Sequence, residues 1–146
     1  MYSFNKHILL IACLFLFFTC KKDENPVPKT GDNFYLYNIQ ADPEYTNLLA
    51  PFGKIVVTGG YKKNGIIVYR IKTEEAIDDF VAYDRTCPYE ANECKMESTK
   101  GNSYTCNCKC CGSVFNIYGG YLEKGPSQFP LRKYNCEYID GNIHVY

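Results

Sequence analysis

Two short segments of the chain carry the residues whose types and spacing could do chemistry. Residues 84–94 include Cys87-Pro88-Tyr89 and end at a second cysteine, and residues 106–115 hold four cysteines before Gly112. Cysteine-rich loops presented by strands are used by proteins to hold iron–sulfur clusters or zinc. Small exported domains use similar loops to place disulfides. The two segments therefore predict either a metal site or a disulfide-stiffened structure.

The N-terminus indicates the compartment in which these cysteines work. Residues 1–19 combine Lys6 with an apolar run over 8–18, which is too short to span a bilayer and is typical of a signal peptide. The residues before Cys20 resemble a lipobox, so we expect cleavage before Cys20 and its lipidation; an ordinary secretory signal is the alternative. Cys13 leaves with the signal peptide, so seven of the nine cysteines remain for the domain. Because seven is odd, one thiol is free or metal-bound in an oxidising compartment.

The segment after the signal peptide predicts where in the cell envelope the protein is located. Residues 20–31 contain charged residues and two prolines, a composition that buries little apolar surface and is typical of a flexible tether. The run Cys-Lys-Lys-Asp-Glu also resembles signals that send lipoproteins of Gram-negative bacteria to the outer face of the outer membrane. We therefore expect an envelope protein anchored by lipid, in the outer membrane and exposed at the surface.

Residues 32–146 are long enough for one domain with a modest core, and their pattern is all-β. Runs rich in β-branched and aromatic residues predict strands, and turn residues separate them. Residues 73–79 are compatible with a single helical turn or a loop, and Tyr134, Cys136 and Tyr138 alternate onto one face. The strands are predicted at 34–39, 54–58, 66–71, 80–83 and 131–139, followed by a closing strand through Ile143 and Val145. Stacked antiparallel sheets or a small barrel follow from this spacing.

The cysteine segments resemble the Rieske family, whose two loops bind a 2Fe-2S cluster through C-x-H and C-x-x-H-G-S motifs. Cys87 and Cys108 fall on the two cysteine ligand positions, and Gly112-Ser113 match the stretch after the second loop. Gly125-Pro126-Ser127 resembles the Gly-Pro turn that closes over the cluster. The resemblance implies a Rieske-like fold of the iron–sulfur-protein type, with a disulfide between Cys94 and Cys110 that ties the loops together.

The departures from that family concern both histidine ligands. Tyr89 stands at the first histidine position and Cys111 at the second, and the first loop is two residues longer. After cleavage of the signal peptide the chain keeps only His144, which is far in sequence from both loops. A two-histidine site cannot be built from one such chain.

Three interpretations of the loops remain open. In the first, which we expect, the domain holds no metal and is stiffened by disulfides, Cys94 with Cys110 as the resemblance implies and Cys106 with Cys136 as a weaker pairing. In the second, a 2Fe-2S cluster transfers electrons. In the third, four thiolates hold zinc, or the C-x-x-C pair Cys108 and Cys111 carries out thiol–disulfide exchange instead. The candidate ligands for the last two are Cys87, Cys108 and Cys111, with Cys94, Cys110 or Tyr89 as the fourth.

Other function classes receive no support from the sequence. The chain has 16 basic and 16 acidic residues without a basic stripe, so nucleic-acid binding is not expected. No nucleophile, base and orienting group occur in a recognisable order, so we expect no catalytic residues. The expected partners are the membrane, through the lipid, and an unidentified protein or small molecule.

Overall fold

The computed structural model describes residues 25–91 and 94–146, and the all-β prediction is confirmed. The helical content of this part is a four-residue helix, α1 (Thr46–Leu49), and two 3-10 turns, Pro43–Tyr45 and Tyr61–Lys63. The strands of this part are β1 (Phe34–Leu36), β2 (Lys54–Val57), β3 (Ile66–Arg70), β4 (Phe80–Asp84), β5 (Met96–Ser98), β6 (Thr105–Cys108), β7 (Val114–Asn116), β8 (Leu122–Lys124), β9 (Lys133–Tyr134), β10 (Cys136–Ile139) and β11 (Asn142–Val145).

The strands form three antiparallel sheets. Their orders are β1-β11-β10, β2-β3-β4-β9 and β5-β6-β7-β8. Each neighbouring pair runs antiparallel, and β7 meets β8 with a register shift between Val114 and Phe115. The third sheet continues directly from the first cysteine segment and contains the second.

The central sheet separates two hydrophobic cores. All residues of β3 and β4 are buried, because side chains alternate between the two faces and both faces are covered. Ile66 and Val68 face the first core, whereas Ile67 and Tyr69 face the second. The first core is Leu36, Ile39, Leu48, Ile66, Val68, Phe80, Ala82, Tyr134, Tyr138, Ile143 and Val145. The second core is Ile67, Tyr69, Val81, Tyr83, Cys87, Met96, Cys106, Cys108, Phe115, Ile117 and Leu131.

Two predicted strands differ from the observed ones. The strand expected over 34–39 ends at Leu36. The strand expected over 131–139 is divided at Asn135, whose backbone exchanges hydrogen bonds with Tyr146, so that β9 joins the central sheet and β10 the first. Residues 73–79 form a loop. The predicted shared face of Tyr134, Cys136 and Tyr138 is confirmed, because all three side chains pack on the first core.

Residues 25–31, the described part of the segment predicted to be a flexible tether, make contacts with the rest of the domain. Val27 is fully buried, and its carbonyl accepts a hydrogen bond of 2.6 Å from Nε of Arg132. The hydroxyls of Thr30 and Tyr134 lie 2.5 Å apart. The segment packs against the domain because the Val27 side chain is buried and the Val27 carbonyl accepts a hydrogen bond from Arg132. The predicted signal peptide and Cys20 lie outside the described residues.

Within residues 25–91 and 94–146, none of the helices has the length and apolar character needed to cross a membrane.

Candidate functional site

The first cysteine loop leaves β4 and returns to β5. It is closed by a bridge between Thr86 and Lys95 and by a backbone hydrogen bond of 2.9 Å from the amide of Cys87 to the carbonyl of Cys94. These contacts fix the position of Cys87, which is fully buried in the second core. The first candidate ligand therefore lies on a rigid loop end.

The second cysteine loop is the tight turn between β6 and β7. Cys108 ends β6 and exchanges backbone hydrogen bonds across the turn, donating to Ser113 at 2.8 Å and accepting from Gly112 at 2.9 Å. Gly112 has φ of +74°, a left-handed conformation that glycine adopts at little cost. The turn directs Cys111 back toward Cys87.

Three thiols from the two loops meet in one place, which we call the thiol site: Cys87, Cys108 and Cys111. Their Sγ atoms all lie within 4.8 Å of one another, and the Sγ atoms of Cys87 and Cys111 are 3.6 Å apart. Cys87 and Cys108 are fully buried, whereas Cys111 is partly exposed. The thiol site is therefore open to solvent on the Cys111 side.

A disulfide between Cys94 and Cys110 joins the two loops, as the resemblance implies. Cys94 belongs to the first loop and Cys110 to the second, and their sulfurs lie within 4.8 Å of Sγ of Cys108. The cross-link therefore borders the thiol site, and it engages two of the three candidates for the fourth ligand.

The weaker pairing of Cys106 with Cys136 is not formed in the structure. Cys106 is buried in the second core, whereas Cys136 packs against the first, and both are free thiols. The central sheet lies between the two cores, so these thiols act as small apolar core residues. Burial raises the pKa of both thiols to about 12, which keeps them protonated.

The residues at the histidine positions do not restore a Rieske ligand set. Tyr89 is 50% exposed, and Cys111 replaces the second histidine. His144 lies on β11, where its ring is stacked between Tyr35 and Tyr146 at centroid distances of 4.1 and 4.6 Å. It therefore belongs to the outer surface of the first sheet and takes no part in the thiol site.

Ser113 connects the thiol site to the Gly-Pro segment. Its side chain is fully buried, and its Oγ accepts hydrogen bonds from the Cys111 thiol at 3.1 Å and from the Ser127 amide at 3.2 Å. A Cβ atom at Gly125 would lie 2.4 Å from Cα of Ser113, so only glycine permits this approach. The sequence motif includes Ser113 but did not predict its contact with Cys111. The separation of the two residues by two positions was the feature from which this contact could have been predicted.

The thiols of Cys87 and Cys111 differ in acidity. Burial raises the pKa of the Cys87 thiol to about 12. Hydrogen bonds from the backbone amides of Glu90 and Tyr89 lower this pKa, but their effect is smaller than that of burial. Partial burial acts in the same direction on Cys111, but hydrogen bonds with Ser113 and with the other two thiols outweigh it and lower its pKa. Of these two thiols, Cys111 is thus the one that ionises at the lower pH.

The residues of the site do not fit a two-histidine 2Fe-2S cluster. Such a cluster needs four protein ligands, two on each iron, and the described residues near the loops offer three free thiols and no histidine. In a 2Fe-2S cluster, ligands on different irons are farther apart than two ligands on the same iron. The three Sγ atoms here all lie within 4.8 Å of one another, so they are not divided between two irons. The arrangement suits a single ion or thiol chemistry.

Comparisons with known proteins give a likeness at the level of structure. No family model matches the chain, and no curated protein is significantly similar to it. A ferredoxin from Sphingomonas yanoikuyae B1 is 16% identical, with a TM-score of 0.50 over 78% of this chain and 97% of the ferredoxin. Two further similar structures have TM-scores of 0.48. One is a cyanobacterial plasma membrane Rieske protein from Synechocystis, which is 25% identical over 62% of this chain and 85% of the other. The second is a chain of the complex of reduced oxygenase and oxidised ferredoxin in carbazole 1,9a-dioxygenase, which is 22% identical over 66% of this chain and 82% of the other.

The arrangement of the sheets and the geometry of the loops agree with the fold that the sequence resemblance implies. Three antiparallel sheets present two cysteine loops, a disulfide ties these loops together, and a Gly-Pro segment lies against the second loop. Where the family has histidine ligands, this chain has a half-exposed tyrosine and a third thiol. The described part of the chain therefore has a Rieske-like fold.

Proposed function

We propose that the protein is a lipid-anchored module of the bacterial cell envelope, in which a Rieske-like domain works without a 2Fe-2S cluster and serves to bind a partner. The observation that carries this proposal is the ligand set of the two loops. Of the candidate ligands, three are free thiols, two form the Cys94–Cys110 disulfide, and Tyr89 is half-exposed. A fourth protein ligand for a cluster is missing among the described residues.

The docked N-terminal segment supports a position close to the membrane. Nδ2 of Asn25 donates a hydrogen bond of 2.9 Å to the carbonyl of Pro130, in the segment that follows Gly125-Pro126. If Cys20 carries the lipid, the extended chain from Cys20 to Asn25 spans at most about 18 Å. The thiol site would then lie on a domain held near the lipid surface, where its partner would be another envelope protein or a small molecule.

Palmitate labelling of cells that express the full chain tests the anchor. We expect incorporation of labelled palmitate in the wild type and in Cys13→Ala, and its loss in Cys20→Ala. Loss in neither variant, or in both, would contradict lipidation at Cys20. Surface protease treatment of intact cells then tests exposure on the outer membrane.

Iron and acid-labile sulfide analysis tests the cluster-free domain. The full chain is purified anaerobically in detergent from the envelope, and its visible absorption is recorded. We expect no acid-labile sulfide and no iron–sulfur absorption. Paired iron and sulfide would instead support electron transfer through a thiolate-ligated cluster, with a potential toward about −400 mV.

A further inference from the structure

We infer that Cys87, Cys108 and Cys111 bind one thiophilic metal ion, zinc or copper(I), through three thiolates, with one coordination position left open. This inference rests on the proposed function in one respect, which is that the loops hold no 2Fe-2S cluster. It assigns to the same loops a different kind of centre, one that needs three protein ligands instead of four.

The distances between the sulfur atoms fit one ion. Zinc binds thiolates at about 2.3 Å, so two thiolates on a tetrahedral zinc are about 3.8 Å apart. The Sγ atoms of Cys87 and Cys111 are 3.6 Å apart, and Sγ of Cys108 lies within 4.8 Å of both. Small side-chain rotations therefore bring all three sulfurs onto one metal.

The three ligands are held in place by separate features of the fold. A backbone hydrogen bond closes the loop that carries Cys87, Cys108 ends strand β6, and the turn through Gly112 positions Cys111. The Cys94–Cys110 disulfide holds the two loops together, so the distance between Cys87 and Cys111 does not depend on the metal. A site preorganised in this way loses little conformational entropy when it binds an ion.

Hydrogen-bond donors surround the sulfurs that would carry negative charge. The Cys87 sulfur faces the backbone amides of Tyr89 and Glu90. The Ser113 hydroxyl accepts a hydrogen bond from the Cys111 thiol at 3.1 Å, and it can donate to the Cys111 sulfur once that thiol has lost its proton. Such outer partners orient metal ligands and raise metal affinity. As each metal–sulfur bond forms, the thiol passes its proton to the buffer, so binding releases up to three protons.

The ligand type and the exposure select the class of ion. Soft thiolates favour copper(I) and zinc over magnesium, calcium or manganese. Zinc sites with three protein ligands keep the remaining position for water or an exchangeable ligand. Here the partly exposed Cys111 and the half-exposed Tyr89 leave that position open to solvent.

Anaerobic titration of the full chain with Co²⁺, a spectroscopic substitute for zinc, tests the inference. The protein is first stripped of metal, and mass mapping confirms that Cys94 and Cys110 remain joined. We expect saturation at one equivalent, with the visible bands of tetrahedral cobalt and an ultraviolet thiolate-to-metal band. Cys111→Ser should abolish these bands, Ser113→Ala should weaken binding about 10- to 100-fold, and Cys136→Ala, a matched cysteine change in the other core, should leave binding unchanged.

Metal analysis of the protein as isolated distinguishes failure of this inference from failure of the proposed cluster-free function. One zinc or copper per chain without sulfide supports the inference, and the element identifies the ion. Binding of neither Co²⁺ nor copper(I), binding that survives Cys111→Ser, or a Cys87–Cys111 disulfide in the exported protein would overturn the inference and leave the cluster-free domain standing. Two irons with two sulfides would overturn both.

Discussion

The two cores of the domain lie on opposite faces of one sheet and are stabilised differently. The first core consists of aliphatic and aromatic side chains and contains no cysteine among its fully buried members. The second core includes three buried cysteines and lies beside the disulfide and the Gly-Pro segment. The fold therefore separates a region that provides stability through apolar burial from a region in which chemistry-bearing side chains are held by covalent and polar contacts.

Removal of a large side chain from the first core should have the largest effect on stability. Ile143 is fully buried in that core, so Ile143→Ala is expected to lower the free energy of unfolding by about 2–5 kcal/mol. Denaturant titration measures this, with Ile139→Ala, at a position 52% exposed, as the control. Because the central sheet separates Ile143 from the loops, Co²⁺ binding by the folded variant should be unchanged; altered binding would show that the two regions are coupled.

Loss of the cross-link should have the next largest effect, and it should act on the second region. The disulfide closes a loop between residues 16 apart, and its removal by Cys94→Ser with Cys110→Ser should cost about 2–4 kcal/mol. Hydrogen exchange should increase in the two cysteine loops and much less in β10 and β11. Uniformly increased exchange would contradict the separation of the two regions.

Ser113→Ala tests the polar support of the second region. The change removes the acceptor for the Cys111 thiol and the Ser127 amide, and the unpaired groups should cost about 1–3 kcal/mol. Ser103→Ala, at an exposed position, is expected to stay within about 0.5 kcal/mol of the wild type. Equal stability of the two variants would show that the Ser113 hydroxyl does not stabilise the second region.

Val27→Ala should have the smallest effect, and it tests whether the N-terminal segment is part of the domain. Val27 is fully buried, and the loss of its two methyl groups should cost about 1.5 kcal/mol. Val56→Ala, at a position 51% exposed, is the control. Faster proteolysis within residues 25–31 of Val27→Ala would support docking of the segment, whereas equal proteolysis of the two variants would contradict it.

The sequence predicted the central strands better than the edges of the domain. Ile66–Arg70 and Phe80–Asp84 carry continuous β-branched and aromatic runs because both their faces are buried. Val27 could not be distinguished from a linker residue, because its buried site is formed by residues distant in sequence. The division of the strand at Asn135 likewise depends on a partner at the C-terminus.

The candidate site was predictable in its members but not in its geometry. The motifs identified Cys87, Cys108 and Cys111, and the resemblance implied the Cys94–Cys110 bridge. Spacing could not show that three thiols meet within 4.8 Å, because that distance depends on how two loops are folded together. Nor could it show that Cys106 and Cys136 face different cores.

X-ray absorption at the metal edge, on the full chain as isolated from the envelope, tests most directly whether the two loops hold a one-ion thiolate centre. We expect one zinc or copper ion with three sulfur neighbours, at about 2.3 Å for zinc, and no second metal in the next shell. An iron edge with a neighbouring iron would contradict it.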